Sequence, residues 1–321
     1  MNQLRRLLRT PWLGPLLALG LLYVLFTALA PDTFARETNL VTMLRQTAVV
    51  GIAAVGMTFT IVLGGIDLSV GSAVALTTVV VAESLRGGAS PLVATALGVV
   101  TGGVLGLCNG LLVTGLRISP FIVTLGTMSV LRGVAKGLAN EQKIDADPRG
   151  LDALMQSRAH SLALPPGVWL MLAATLFGVA LLNYTRIGRQ IVAVGSNSET
   201  ARLCGISIPR TTLFVYALAG LLVGLAGVLE FSTLTVGDPT DSVGLELEVI
   251  AAVVIGGGSL SGGQGSAAGT LVGALLLTVI KAGCTHLGFP NWVQEIFTGF
   301  IIVVAMSIDQ LRQRTRQRKS Q

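Results

Sequence analysis

Thr185-Arg-Ile-Gly-Arg-Gln-Ile-Val-Ala-Val-Gly-Ser-Asn-Ser-Glu-Thr-Ala-Arg-Leu-Cys-Gly-Ile-Ser-Ile-Pro-Arg210 is a polar island in an apolar chain. It carries four arginines and one glutamate, and it separates two stretches long enough to cross a bilayer. Ser196 and Glu199 stand at the spacing of a capping box. A helix is therefore expected to start there, run through Thr200-Ala-Arg-Leu-Cys204 and stop at Gly205. At barely two turns, that helix needs a partner surface to persist. The residues alone leave two readings open: an ordinary basic loop, or a short amphipathic helix at the membrane surface on which a soluble partner can push.

The rest of the chain explains why such a handle matters. Of its 321 residues, 52% are hydrophobic and only 12% are charged, and the mean hydropathy is +0.76. A soluble domain needs roughly twice that share of charge to cover its surface. Soluble-enzyme classes fall away, and an all-α polytopic membrane protein is expected. The net charge of +6 is no nucleic-acid footprint, because the basic residues flank apolar runs. Arg5, Arg6 and Arg9 precede the first run; Arg312, Arg314, Arg316, Arg318 and Lys319 follow the last. The positive-inside rule places both termini in the cytoplasm and requires an even number of spans. The first run is too long for a signal-peptide core and lacks a small-residue cleavage site, so it counts as a span.

About ten spans are expected, at 12–30, 42–63, 70–86, 91–115, 119–139, 165–184, 211–233, 247–263, 266–285 and 292–308. This order makes 1–321 a single transmembrane domain with a cytoplasmic loop at 185–210, an external loop at 140–164 and a basic cytoplasmic tail at 309–321. Arg117, Arg186, Arg189, Arg202 and Arg210 join the eight terminal basic residues to put 13 of the 22 on the cytoplasmic side. Acids lean the other way, with Glu141, Asp145, Asp147, Asp152, Asp238, Asp241, Glu246 and Glu248 at or near the exterior.

Glycine is abundant, at 40 residues, and Gly98, Gly102, Gly106 and Gly110 recur at four-residue intervals, as do Gly220 and Gly224, and Gly269 and Gly273. Small residues so spaced let helix backbones approach closely in a membrane. An internal echo aligns Val62-Leu-Gly-Gly-Ile-Asp-Leu-Ser-Val-Gly71 with Val254-Ile-Gly-Gly-Gly-Ser-Leu-Ser-Gly-Gly263 at an offset of 192, with six of ten positions identical. It points to two weakly related halves. Both copies interrupt an apolar run with Gly-Gly, as a broken helix lining a transport path does.

With these stretches on the page, a family resemblance is plain. The 185–210 loop resembles the cytoplasmic coupling loop of permease subunits in ribose-type ATP-binding-cassette sugar importers. That family shows a T-R-x-G-R start, matched by Thr185, Arg186, Gly188 and Arg189. Its G-x-N-x-x-A-x-R-L-x-G-I core is matched at Gly195, Asn197, Arg202, Leu203, Gly205 and Ile206, with Cys204 where serine is usual. Ala54-Val-Gly-Met-Thr58 followed by Gly65-Ile-Asp-Leu-Ser-Val-Gly-Ser72 is similar to the family's main membrane motif. Pro120-Phe-Ile-Val-Thr-Leu125, Leu131-Arg-Gly133, Pro239-Thr240, Glu246-Leu-Glu248 and Ile250-Ala-Ala-Val-Val-Ile-Gly-Gly257 extend the likeness over nearly the whole chain. The 140–164 loop matches least.

The resemblance implies a translocation path formed by two permease subunits, as homodimer or heterodimer, in the bacterial inner membrane. It implies ATPase subunits docked on Ser196, Asn197, Glu199, Ala201, Arg202, Leu203 and Gly205, and a periplasmic or lipid-anchored sugar-binding protein outside. Its lipid surroundings are the only other partner expected; no cofactor and no nucleic acid are.

Gly64, Gly65, Asp67 and Ser69 are path or gate candidates, since an ionisable group inside a membrane is costly. Asp67 or Ser69 can equally cap the helix starting near Val70. Phe121, by the resemblance, is a constriction candidate, and Glu230, near a span's outer end, a gate or binding-protein contact; packing and solvation are their simpler explanations.

Leu260-Ser-Gly-Gly-Gln264 spells an ATPase signature, but the chain has no Gly-Lys dipeptide to complete a phosphate loop. Cys108, Cys204 and Cys284 match no disulfide or metal spacing, and His160 and His286 stand far apart. No strand is expected, and no nucleophile–base pattern. The rival is a self-sufficient secondary transporter or channel with Asp67 as a cation or proton site; it would want paired intramembrane charges.

Overall fold

The computed structural model describes residues 13–156 and 164–320. Arg5, Arg6, Arg9 and His160 lie outside the described residues, as do the side chains of the basic tail. Among the described residues twelve α-helices follow one another: α1 Leu13–Leu29, α2 Glu37–Leu63, α3 Val70–Arg86, α4 Pro91–Leu116, α5 Pro120–Leu138, α6 Pro166–Tyr184, α7 Arg186–Ser196, α8 Ser198–Leu203, α9 Ile208–Leu234, α10 Leu245–Ile255, α11 Ala267–His286 and α12 Asn291–Ser320. Six of them, α2, α4, α5, α6, α9 and α11, are long and apolar enough to cross a membrane. The protein is all-α and polytopic. Each of the ten expected spans contains a helix, but the eighth is short. α10 has 11 residues and stops at Ile255, because Gly256 and Gly257 end it and 256–266 run without helix.

α2 is the central helix. Every residue from Gly51 to Leu63 is buried, so it is apolar on all sides, as a core helix must be. α4 is the opposite case: it buries Ala94, Gly98, Gly102, Gly106, Asn109 and Gly110 and turns Leu92, Leu97, Val100, Val104 and Leu111 outward. An outer surface of leucine and valine suits hydrocarbon rather than water.

The glycine spacings pack as expected. A Cβ at Gly102 would lie 2.5 Å from the Gly224 backbone, and one at Gly106 would strike the Tyr216 carbonyl, so α4 and α9 touch backbone to backbone. A Cβ at Gly269 would strike Gly256, and one at Gly273 would strike Ala252, which brings α11 equally close to α10. Between α2 and α11, Thr47 Oγ1 donates to Thr278 Oγ1 at 3.0 Å, and the Thr58 and Thr270 hydroxyls pair at 2.8 Å. Side-chain hydrogen bonds of this kind tie helices where apolar burial gives no net drive.

A short ladder corrects the expectation of no strands: β1 Ile144–Asp145 pairs antiparallel with β2 Val236–Gly237, Ile144 opposite Gly237. It joins the 140–156 segment to the far end of α9. That end also holds the α3–α4 turn, where Arg149 Nη1 donates to Ala89 O. The opposite end gathers 64–69, the α4–α5 link, 185–207 and 256–266.

Candidate functional site

The loop at 185–207 folds into two helices rather than one. Thr185 caps α7, its hydroxyl accepting from Gly188 N at 3.0 Å, and α7 buries Gly188, Ile191 and Val194 along one face. The expected capping box is displaced by one residue. Ser196 is the last residue of α7 and its hydroxyl donates back to Val192 O at 2.8 Å. Asn197 is the cap of α8, its Oδ1 accepting from Thr200 N at 2.9 Å. The stop is as expected: Gly205 has φ +82°, Gly205 N donates to Arg202 O and Ile206 N to Ala201 O. Of α8's side chains, Ala201 faces inward at 3% exposure while Leu203 is 84% exposed. Glu199 and Arg202 project outward beside it, 4.0 Å apart.

Directly behind this pair of helices lies the first Gly-Gly break. α2 ends in a left-handed Gly64, with Gly64 N donating to Ile61 O and Gly65 N to Thr60 O. α10 ends the same way one residue later than the echo implies: Gly257 N donates to Val254 O and Gly258 N to Val253 O. The sequence match runs at offset 192, but the matching caps, Gly64 and Gly257, stand 193 apart, because the shared Leu-Ser pair drew the alignment. The two breaks and the α7 end meet. Gly263 N donates to Val62 O at 2.8 Å, and a Cβ on Gly195 would strike that same carbonyl and lie 2.7 Å from Gly263 N.

This convergence borders an open cleft of about 460 Å³. Its lining includes Gly64, Gly65 and Pro120, then Gly195, Ser196, Asn197 and Ser198, and Val113, Thr212, Tyr216 and Ser261. Two groups of residues singled out for different roles thus share one cleft. No lining residue is charged.

Residues 39–306 match the family model described as the permease component of branched-chain amino acid transport systems. The chain belongs to this permease family. A ribose import permease protein, RbsC, from Bacillus subtilis is 40% identical over 298 residues, covering 92% of each chain. The RbsC of Escherichia coli K12 is 38% identical over 318 residues, 96% of this chain and 98% of that one. The L-arabinose permease protein AraH of Azospirillum brasilense is 36% identical over 297 residues, 92% and 87% of the two chains. No solved structure matches.

As a permease component, the chain is a multi-pass membrane transport subunit and not an enzyme. Among the described residues no group of three His, Cys, Asp or Glu could hold a metal. The remaining expected site residues of the permease are spread out. Asp67 is 7% exposed and is not among the cleft-lining residues: its Oδ1 accepts from Ser69 N at 2.8 Å and Ser69 Oγ at 2.6 Å, forming a turn before α3. Ser69 precedes α3 without a side-chain cap. Asn109, from the α4 glycine face, donates to Ser69 Oγ at 2.9 Å and to Asp67 Oδ2 at 3.4 Å. Thr124 Oγ1 donates to Ile66 O at 3.0 Å, so α5 holds the same turn. Phe121 is 47% exposed and outside the cleft. Glu230 lies at the other end, half-buried and hydrogen-bonded with Asp241.

Sequence reasoning passed over Asn109 and Tyr216. A neutral polar residue inside an apolar run was the available signal for each.

Proposed function

We propose that this permease is the transmembrane subunit of an ATP-binding-cassette importer for a monosaccharide or sugar-like solute. In this reading about ten segments cross the bacterial inner membrane with both termini cytoplasmic. Two such subunits, identical or related, form the path. ATPase domains on a separate chain dock on α8, and a periplasmic or lipid-anchored binding protein delivers the solute. Closure of the ATPase dimer displaces α8, and the helix breaks at Gly64–Gly65 open or shut in response. Asp67 and Ser69 brace the turn behind the break, Phe121 narrows the path where the second subunit meets α5, and Glu230 belongs to the outer gate.

One observation carries the reading. α8 turns Leu203, Glu199 and Arg202 outward while its cap, Asn197, borders the cleft that contains the break. A push on α8 is therefore delivered to the cleft across a single junction. The sugar assignment rests on relatives named for ribose and L-arabinose, and on the uncharged cleft lining. A zwitterionic amino acid would lose its hydration there with no opposite charge to replace it.

The test is co-expression with the cognate ATPase, followed by purification in detergent and uptake by proteoliposomes supplied with the binding protein. The chain should retain the ATPase, and uptake should require ATP. Exchanging the two charges in a Glu199→Arg, Arg202→Glu double variant should weaken both. No retained ATPase, together with intact transport by the double variant, overturns the assignment in favour of a self-powered transporter.

A further inference from the structure

The hydroxyl of Tyr216 is buried and has no hydrogen-bond partner among the described residues, although Tyr216 lines the cleft. Buried hydroxyls without partners are rare, because they lose water and gain nothing in return. Phenylalanine would fill the same space without stranding a hydroxyl. The ring itself is held firmly. Its backbone lies against Gly106 of α4, and a Cβ at Gly110 would come within 3.1 Å of Tyr216 Cβ. Its outer end points to the helix break: a Cβ added to Gly65 would lie 2.8 Å from Tyr216 Oη and 3.4 Å from Pro120 Cβ. Gly65 therefore packs directly against the hydroxyl and covers it, with no room there for a side chain.

We propose that Tyr216 forms the floor of an exit subsite for a neutral, hydroxyl-bearing solute, uncovered when the break at Gly64–Gly65 opens, with Ser196 and Asn197 as its movable rim. The inference rests on the importer reading and adds to it a place and a ligand chemistry. A phenol both donates and accepts, so it pairs with a solute hydroxyl in either orientation. Thr212, Ser261 and Asn197 add further neutral donors and acceptors around the same cleft. The cleft volume of about 460 Å³ falls in the range of small-molecule sites, roughly 300–1,000 Å³. Its openness to the α8 end suits release rather than tight retention. Because Ser196 ends α7 and Asn197 caps α8, any displacement of α8 moves the rim directly.

The experiment uses the complete complex with its ATPase and binding protein in proteoliposomes, supplied with labelled D-ribose, L-arabinose or D-allose. Tyr216→Phe should lower the sugar moved per ATP hydrolysed by roughly three- to tenfold, the effect of one neutral hydrogen bond. Gly65→Ala, which crowds the same hydroxyl, should do likewise. Equal yield in Tyr216→Phe and wild type overturns the subsite. If wild type carries none of the three sugars, the sugar assignment fails by itself, and the cleft is read independently of cargo. Thr212→Cys in a chain with C108S, C204S and C284S should react with an impermeant maleimide in the nucleotide-free complex. It should react at least about fivefold more slowly when a non-hydrolysable ATP analogue holds the ATPases closed. Equal rates in the two states overturn the movable rim.

Discussion

Asn197 decides where α8 begins. Three consecutive residues, Ser196, Asn197 and Ser198, are all good caps by chemistry, so the choice among them is made outside the segment. α7 makes it, by burying Ile191 and Val194 and carrying its helix through Ser196. The capping-box spacing of Ser196 and Glu199 was readable; the competing helix upstream was not, because its apolar face is only Gly188, Ile191 and Val194 in a basic stretch. Asn197→Ala should cost α8 about 1 kcal/mol of local stability. A six-residue helix has little reserve. Faster amide exchange at Thr200–Leu203 should report the loss, along with weaker retention of the ATPase, while the bundle's thermal midpoint stays put. Asn109 is the buried counterpart. Asn109→Ala strips Ser69 Oγ and Asp67 of a donor inside the protein, and an unsatisfied buried polar group costs about 1–3 kcal/mol. A lower thermal midpoint in detergent is expected; an unchanged midpoint would show that the turn at Asp67 stands without α4. Attention to charge singled out Asp67 from the sequence, and the neutral residue that satisfies it escaped notice.

Elements show a different boundary of legibility. That Gly98, Gly102, Gly106 and Gly110 form a contact stripe follows from spacing alone, because four-residue intervals share a helix face. Which stripe they meet does not follow, since Gly220–Gly224 and Gly269–Gly273 present the same pattern. The structure pairs α4 with α9 and α11 with α10, and in each case a Cβ would collide with backbone. Gly106→Val should therefore separate α4 from α9 at a cost beyond the roughly 1–3 kcal/mol of ordinary overpacking, since backbone cannot give as a side chain can. Loss of the monodisperse peak in fluorescence-detected size exclusion is the expected outcome. Gly115→Ala on the same helix meets open space and should behave as wild type. The Gly-Gly breaks were equally legible as interruptions. Their exact register was not, because residue identity favours offset 192 while hydrogen bonding at the helix ends favours 193. The eighth expected span shrank to the 11 residues of α10 because Gly256 and Gly257 end the helix.

At the scale of the whole molecule, the two ends are built on different chemistry. At the α8 end the cleft is lined by glycine breaks and neutral side chains, while the charges of the loop face outward. The far end is tied by charge. Lys143 Nζ lies 3.0 Å from Asp238 Oδ2, and Arg132 Nη1 donates to Pro239 O at 2.9 Å and Asp241 O at 2.7 Å. These ties should part company with pH. Burial works against the charge on Asp238, but hydrogen bonds from Thr240 and Lys143 outweigh it and hold the carboxyl below its ordinary 3.8. The hydrogen bond to Asp238 holds the Lys143 ammonium above its ordinary 10.5. A lowered carboxylate stabilises the fold above its unfolded value and loses that effect as pH falls through its folded value; a raised ammonium does so below its unfolded value and loses it as pH rises through its folded one. The pair is thus complete between 3.8 and 10.5. Asp238→Asn should lower the thermal midpoint by a constant amount from pH 5 to pH 9, and the difference from wild type should close only under stronger acid. It should also shrink in high salt, since the lysine is exposed. Arg132→Ala removes bonds to carbonyl oxygens, which do not titrate, together with an attraction to Glu246, Asp241 and Asp238, which do. Its deficit should therefore persist in part through the acid range in which the Asp238→Asn deficit disappears, because the bonds to the carbonyls remain. If both deficits fade together, the two ties are one network, and the ladder at Ile144–Gly237 hangs on the carboxylate alone.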